Sequence, residues 1–487
     1  MQRILYTDGQ SRLYIAGAVS VFLLYAGIKR EVDAMPLLCG TGKAKITPPD
    51  CLLRRLLGLK QHRFAGVLDD LWVRALVLGN EDGLALLLSF DMTAAPCTES
   101  FLTTLSQTTG IPTDCILAFA IHTHSVPFND IDLEERDRQS SETLDASSEY
   151  TRFLHAQAVA AAKNAVQNVC PARMGWAFGE SRVNVVRLQD YIYHDKAGAP
   201  FTVCNLGADY TRFADPTLFT LRVENLDGAP IAFLVNYPMH NVTTIWNDFN
   251  GQGAMGISGD VGGRISRLLE MRYPGSVALW SSGAAGDLNP IMLNEVILPD
   301  PLTGRAYEYH PIGLETARTA LLTVSERHYA DILQTLSLVR RTEEDGSISA
   351  AMAWSRTPGV ACIRRKNAPP EFRMGSDVPE HTVCLQMVKI GGLTLLGAGA
   401  ELYSSIGRGM LRAAGENTVL ITHNASTLCS SHYVLDDETI ARCDASRGFA
   451  MVPGYDEYRC LAGVMEQDLV NHVRQMRKQL EGDIYET

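Results

Sequence analysis

The sequence has no C-x-x-C pair, no run of Lys or Arg, no internal repeat, no low-complexity tract and no long linker. Each absence excludes something. Without C-x-x-C spacing, a zinc ribbon and a thioredoxin-like redox motif are ruled out. The eleven cysteines (Cys39, Cys51, Cys97, Cys115, Cys170, Cys204, Cys362, Cys384, Cys429, Cys443 and Cys460) stand singly. Their odd number and irregular spacing read as reduced, mostly buried thiols in a reducing compartment. With 43 Lys+Arg against 55 Asp+Glu, a net charge of −12 and no basic run, a nucleic-acid partner held through its phosphates is excluded. The composition, 46% hydrophobic and 20% charged, also lacks the signature of disorder. Length alone, at 487 residues, predicts two or three domains.

A long apolar run is nearly absent as well. Leu13–Ile28 (LYIAGAVSVFLLYAGI) is interrupted only by Ser20 and lies between Arg12 and Lys29-Arg30. It falls short of the about 20 residues of a membrane span and suits a signal h-region better. No small-x-small cleavage site stands out after it, and Met35 follows closely. Residues 1–34 are therefore expected to be an upstream start-site extension or an N-terminal membrane anchor, with secretion ranking behind both. The cysteines favour the cytoplasm. Residues 35–487 are expected to be the functional domain.

From residue 35 onward, short apolar runs alternate with helical patterns. Leu84–Phe90, Ile116–Ile121, Ile231–Val235, Val277–Trp280, Leu393–Leu396 and Val419–Ile421 show little polar alternation and predict strands covered on both faces. Helices are predicted over the Ala-rich Thr151–Val169 and over Asp260–Arg272, where Ile265, Leu268 and Leu269 share a face. A final amphipathic helix carries Leu461, Met465, Leu469, Val473, Met476 and Leu480. The alternation predicts an α/β architecture in one large domain.

Polar residues gather where these runs end. Asp91, His122, His240, Asp287, Glu401 and His423 each come at, or a few residues after, the downstream end of one run. In α/β sheets, ligands collect outside the carboxyl ends of strands. The sharpest local signal is Ile121-His122-Thr123-His124-Ser125-Val126-Pro127, in which histidines at i and i+2 of an extended chain face one pocket. Neutral imidazole is a common metal ligand. Ser258-Gly259-Asp260 reads as a helix N-terminus. The small residues of Gly283-Ala284-Ala285-Gly286 permit close backbone approach to a ligand, or an ordinary turn. The sequons Asn241-Val242-Thr243 and Asn424-Ala425-Ser426 adjoin these residues and read as chance matches.

Together these segments resemble the neutral/alkaline (non-lysosomal) ceramidases, a family of zinc-dependent amidases. The resemblance begins at Gly42-Lys43-Ala44-Lys45-Ile46-Thr47-Pro48-Pro49 and continues through Asp70–Val77 and Asp91. It is most specific at His122-Thr123-His124-Ser125-Val126-Pro127. Asp215-Pro216, Asp227-Gly228, His240, Ser258-Gly259-Asp260 and Gly286-Asp287 follow in the family's order. The match runs from about residue 40 to the C-terminus and weakens after residue 300.

The resemblance implies mixed β-sheets flanked by helices and a Zn²⁺ ion held by His122, His240, Glu401 and Tyr433. The gap between Asn424 and Tyr433 is longer than the family's, leaving His432 or His423 as alternatives to Tyr433. It further implies an acid/base or supporting role for His124 and substrate contact by Arg187. Two imidazoles and a carboxylate leave zinc a position for water, which it acidifies for attack on an amide. The chain departs from the family at Gly286-Asp287-Leu288-Asn289-Pro290, where Asn289 replaces a serine implicated in catalysis. Asn289 cannot be a nucleophile, but its amide can bind substrate. The residues that follow the catalytic region are too few for the family's C-terminal immunoglobulin-like domain, which is therefore not expected in this sequence. Three functions stay open: an amidase acting on an N-acyl lipid, a related metal hydrolase of a small polar amide, ester or lactone, and a non-catalytic binding protein keeping the fold. Expected partners are a lipid or small-molecule substrate, and a membrane through residues 13–28. The sequence leaves the oligomeric state open.

Overall fold

The six apolar runs form three parallel strand pairs. Leu84–Phe90 pairs with Ile116–Ala120, Pro230–Tyr237 with Val277–Ser282, and Leu393–Ala398 with Thr418–Thr422. A parallel pair needs a crossover between its strands. Here the crossovers contain the helices Glu99–Thr109, Asp260–Arg272 and Ser404–Ala414. Ile116–Ala120 and Val277–Ser282 are buried at every position, as expected for strands with no wet face.

This computed structural model describes residues 36–56, 64–127, 141–195, 197–293, 295–299, 307–311, 313–339, 344–363, 371–424, 433–446, 448–449, 452–455 and 458–482, with two short strands near the N-terminus. Those strands, Tyr6–Asp8 and Arg12–Tyr14, pair antiparallel within a unit of residues 1–34. Most of the apolar segment 13–28 lies outside the described residues. Among the described residues, no helix is long and apolar enough to cross a membrane.

Within residues 35–487 the fold is mixed α/β. An eight-stranded sheet runs Val277–Ser282, Pro230–Tyr237, Thr217–Asn225, Cys170–Glu180, Leu38–Lys45, Trp72–Gly79, Leu84–Phe90, Ile116–Ala120. A second sheet orders Glu371–Arg373, Ile348–Ile363, Glu380–Ile390, Leu393–Ala398 and Thr418–Thr422. The pleat sorts their side chains between layers. Leu76, Leu117, Phe119, Leu234, Leu279, Val388, Leu395 and Ile421 share the core between the two sheets. On the outer side of the first sheet, Leu86, Leu88, Ala118 and Ala120 pack with Tyr150, Leu154, Ala158 and Ala162 of helix Ser141–Gln167. Phe233, Val235 and Trp280 pack with Ile265 and Leu269 of Asp260–Arg272, and with Val324 and Ile332 of helix Leu314–Leu336. The second sheet's outer face packs on Ile406 and Met410 of Ser404–Ala414, and on Leu469 and Val473 of helix Met465–Glu481. The result is four layers, helix–sheet–sheet–helix.

The predicted helix at Thr151–Val169 begins nearly three turns earlier, at Ser141, and ends at Gln167. The final helix starts at Met465, because Leu461 precedes the turn that leads into it. A further, largely antiparallel sheet pairs Asn184–His194 with Pro200–Asp209, and Leu288–Pro290 joins its edge. No apolar run marks the hairpin, because its buried stretches, 184–188 and 203–206, include the polar Asn184, Arg187 and Asn205.

Candidate metal centre

Side-chain bonds tie the two sheets together where the parallel strands end. Asn236 Nδ2 donates to Leu420 O at 2.9 Å, and Thr422 Oγ1 donates to Gly283 O at 2.8 Å. An isolated bridge joins Phe119 to Asn424. These links bring the loops after Ile116–Ala120, Pro230–Tyr237, Leu393–Ala398 and Thr418–Thr422 to one place.

Four donor atoms meet there. His124 Nε2 lies 3.1 Å from His122 Nε2, His122 Nε2 lies 3.2 Å from Glu401 Oε2, and His240 Nε2 lies 3.0 Å from Glu401 Oε2. His122, His124 and His240 each offer a ring nitrogen within 4.8 Å of the others. Two imidazoles are anchored from behind. His122 Nδ1 donates to Thr93 O at 2.8 Å, and His240 Nδ1 donates to Ala285 O at 2.8 Å. With Nδ1 carrying the proton, Nε2 of each ring presents its lone pair to the centre. His124 has no such carbonyl anchor among the described residues.

The residues fit a small divalent cation. Tetrahedral ligands about 2.0–2.1 Å from zinc lie roughly 3.3 Å from one another, and the separations of 3.0, 3.1 and 3.2 Å are close to that spacing. Imidazole nitrogens and one carboxylate oxygen also match zinc's donor preference.

The electrostatics are those of a buried, mutually coupled cluster. Burial, then the neighbouring His122 and His240, hold the His124 imidazole well below its usual pKa. Burial and the Arg187 guanidinium lower His240 to about 4. Burial alone would raise the Glu401 carboxyl, but His122 and His240 outweigh it and keep Glu401 ionised. The His124 and His240 imidazoles are thus held toward the neutral form beside the Glu401 carboxylate.

Tyr433 enters through the backbone. The short strand Tyr433–Val434 pairs in parallel with Glu401–Leu402, with Tyr433 opposite Glu401. Its hydroxyl bonds the Glu401 carboxylate and the Arg187 guanidinium, and burial keeps it protonated. Its ring lies nearly parallel to His240, with centroids 6.5 Å apart. Arg187, on Asn184–His194, donates to Gly286 O from Nε at 3.0 Å and Nη2 at 2.6 Å, and lies over the Tyr433 ring at 5.4 Å. Asn289 sits on Leu288–Pro290, and its buried Oδ1 has no hydrogen-bond partner among the described residues.

Several expectations change. His122 and His124 do face one centre, but not along an extended strand. His122 has φ +63°, and the chain after it bends and bridges at Thr123 to Asn241. His423 is beside the centre without pointing to the same spot, because its ring stacks on His122 with centroids 3.9 Å apart and an interplanar angle of 15°. Lone pairs lie in the ring planes, so nearly parallel stacked imidazoles cannot both reach one ion. His432 lies outside the described residues. Asp91 is structural, since its carboxylate accepts from Arg74 Nη1 at 2.9 Å and Trp72 N at 2.9 Å. Asp287 holds the start of helix Ser404–Ala414, accepting from Ser404 N and Oγ, both at 2.7 Å. Asp260, at φ +52°, accepts from Thr244 N and Oγ1. The small residues at 283–286 pack on protein: a Cβ on Gly286 would stand 2.7 Å from Glu401 O. Asn241 and Asn424 are fully buried, which closes both sequons to glycosylation.

The carbonyls of Thr93 and Ala285 escaped the sequence reading. Backbone acceptors carry no side-chain signal, so only the fold reveals them.

No protein-family model matches the sequence, and no curated protein matches it. Among solved structures, the chain is similar to that of neutral ceramidase from Pseudomonas aeruginosa, with a TM-score of 0.63 and 18% identity over 92% of this chain and 75% of that one. It is likewise similar to a ceramidase complexed with C2, with a TM-score of 0.64 and 18% identity over the same shares. The fold is therefore similar to that of neutral ceramidase.

Proposed function

We propose that the chain is a metal-dependent hydrolase of the neutral ceramidase type, cleaving an amide bond in an N-acyl lipid. The observation that carries this reading is the convergence of His122, His124 and His240 Nε2 with Glu401 Oε2, two of the rings being locked from behind by carbonyls. The likeness in fold to the two ceramidase structures supports the amide and the acyl-lipid class.

His122, His240 and Glu401 would hold the ion, with the Tyr433 hydroxyl completing the set. When bound, zinc supplies Lewis acidity toward a carbonyl oxygen and lowers the pKa of water toward about 7. His124, the imidazole without a carbonyl anchor, would take a proton at Nε2 from the attacking water and return it to the leaving amine. Arg187 holds the Tyr433 ring and adds positive charge near the oxygen on which negative charge develops. Asn289 Oδ1, buried without a partner, is suited to accept from a substrate N–H or O–H.

Metal analysis of the purified protein, with turnover of N-acyl sphingosines and of short N-acyl amino acids, tests the reading. About one equivalent of zinc and preference for the lipid are expected. His122→Ala or His240→Ala should lose the metal and at least about a thousandfold in kcat/KM. A metal-free protein whose variants keep full activity would refute the assignment.

A further inference from the structure

We propose that His423 is a positioning residue for His122, acting through the face of its ring rather than through its nitrogens. The inference rests on the metal-centre reading above. It adds an aromatic support to that centre and assigns no further ligand.

The His122 ring is constrained in its own plane from both edges. Nδ1 is tied to Thr93 O at 2.8 Å, and Nε2 faces Glu401 Oε2 at 3.2 Å and His124 Nε2 at 3.1 Å. These partners touch only the ring's edges, so they brace it less against rotation about the Cβ–Cγ bond, which tips the ring out of its plane and carries Nε2 with it. His124 and His240 meet it edge-on, at 88° and 71° with centroids 4.6 and 4.7 Å away. Only His423 covers a face, at 3.9 Å and 15°, among the described rings. A flat ring against a flat ring opposes that rotation, which would otherwise swing the Nε2 lone pair away from the centre.

The backbone is arranged to hold this stack. His423 and His122 both have left-handed φ, +58° and +63°, each shortly beyond the end of a strand. The strain is maintained by neighbours: Asn424 N donates to Ala398 O at 3.2 Å, Asn424 Nδ2 donates to Gln386 Oε1 at 3.1 Å, and Asn424 bridges to Phe119. Each ring is nearly inaccessible, at 3% exposure for His122 and 4% for His423. The same stack prevents His423 from sharing an ion with His122, since their lone pairs lie in nearly parallel planes.

The test compares wild type, His423→Phe and His423→Ala, each loaded with zinc and titrated with a competing chelator. The visible spectrum of the Co²⁺ forms and the thermal unfolding of the metal-free forms are recorded alongside. Phe keeps a flat ring and removes both nitrogens; Ala removes the ring. A ring contact is expected to contribute roughly tenfold in metal affinity. His423→Ala should bind zinc about tenfold more weakly and shift the Co²⁺ bands, while His423→Phe stays within about twofold of wild type. Equal affinity and spectrum in His423→Ala would overturn the inference, as would a His423→Phe defect as large as the Ala defect. If the wild type itself binds no metal, the metal-centre reading fails, and this inference falls with it.

Discussion

At the scale of single residues, the centre depends on which nitrogen of each histidine carries the proton. Thr93 O and Ala285 O settle this for His122 and His240, while His124 has no such anchor, in keeping with the proton-transfer role proposed for it. His124→Ala is therefore expected to retain close to one equivalent of metal while kcat falls about 10²–10⁴-fold. Metal analysis beside steady-state kinetics checks the split; loss of metal would instead make His124 a ligand. Another histidine governs acid stability away from the centre. His328 is fully buried, accepts from Trp280 Nε1 at 3.4 Å and contacts Ser181 Oγ at 3.0 Å, and burial lowers its pKa to about 3. The unfolded chain takes up this proton below about pH 6.5, whereas the folded chain does so only near 3. Its stabilising contribution is thus complete above pH 6.5 and is lost as pH falls toward 3. Urea unfolding between pH 7 and 4 should show a slope in ΔG against pH that His328→Gln reduces by about one proton.

At the scale of elements, three parallel pairs deliver the chemistry to one rim, and turns set the final approach. Gly286 is the clearest case. It has no room for a side chain, since a Cβ would lie 2.7 Å from Glu401 O and 2.8 Å from a Tyr403 ring carbon. Its carbonyl is also the acceptor for Arg187. Gly286→Ala must displace the Glu401 backbone or the turn that orients His240. The expected result is a folded protein, by circular dichroism, that holds metal at least about tenfold more weakly than wild type. Unchanged zinc affinity would show that the turn yields without moving Glu401. The parallel pairing of Glu401 with Tyr433 places the phenol likewise.

At the scale of the whole molecule, rigidity comes from the core between the sheets. Leu76 is fully buried there and lies on Trp72–Gly79, a strand that contributes no side chain to the centre. Leu76→Ala should cost about 2–5 kcal/mol of stability and leave the metal stoichiometry unchanged, as urea unfolding and metal analysis would show. Inter-sheet links such as Asn236 to Leu420 O matter differently, because they join loops from separate sheets into one site. In the proposed centre, folding would have to bring the donors together before metal binds, coupling metal affinity to the integrity of all four layers.

The strands and their buried character were legible in the sequence because a run such as Leu84–Phe90 is apolar at nearly every position, which only a doubly covered strand tolerates. The polar residues after such runs were equally legible, and among them His122, His240 and Glu401 do meet. Their neighbours could not be sorted the same way. Asp91 and Asp287 occupy similar sequence positions, yet Arg74 and the start of Ser404–Ala414 claim their carboxylates. The hairpin bearing Arg187 left no apolar signature, the left-handed turn at His122 replaced an extended chain, and His423 met His122 face to face. Local sequence determines where strands end and which chemistry stands there, because burial and periodicity act over a few residues. Which of those side chains share a centre, and which satisfy buried partners, was decided by tertiary packing, because the distances between their atoms depend on residues up to 311 positions apart, as with His122 and Tyr433.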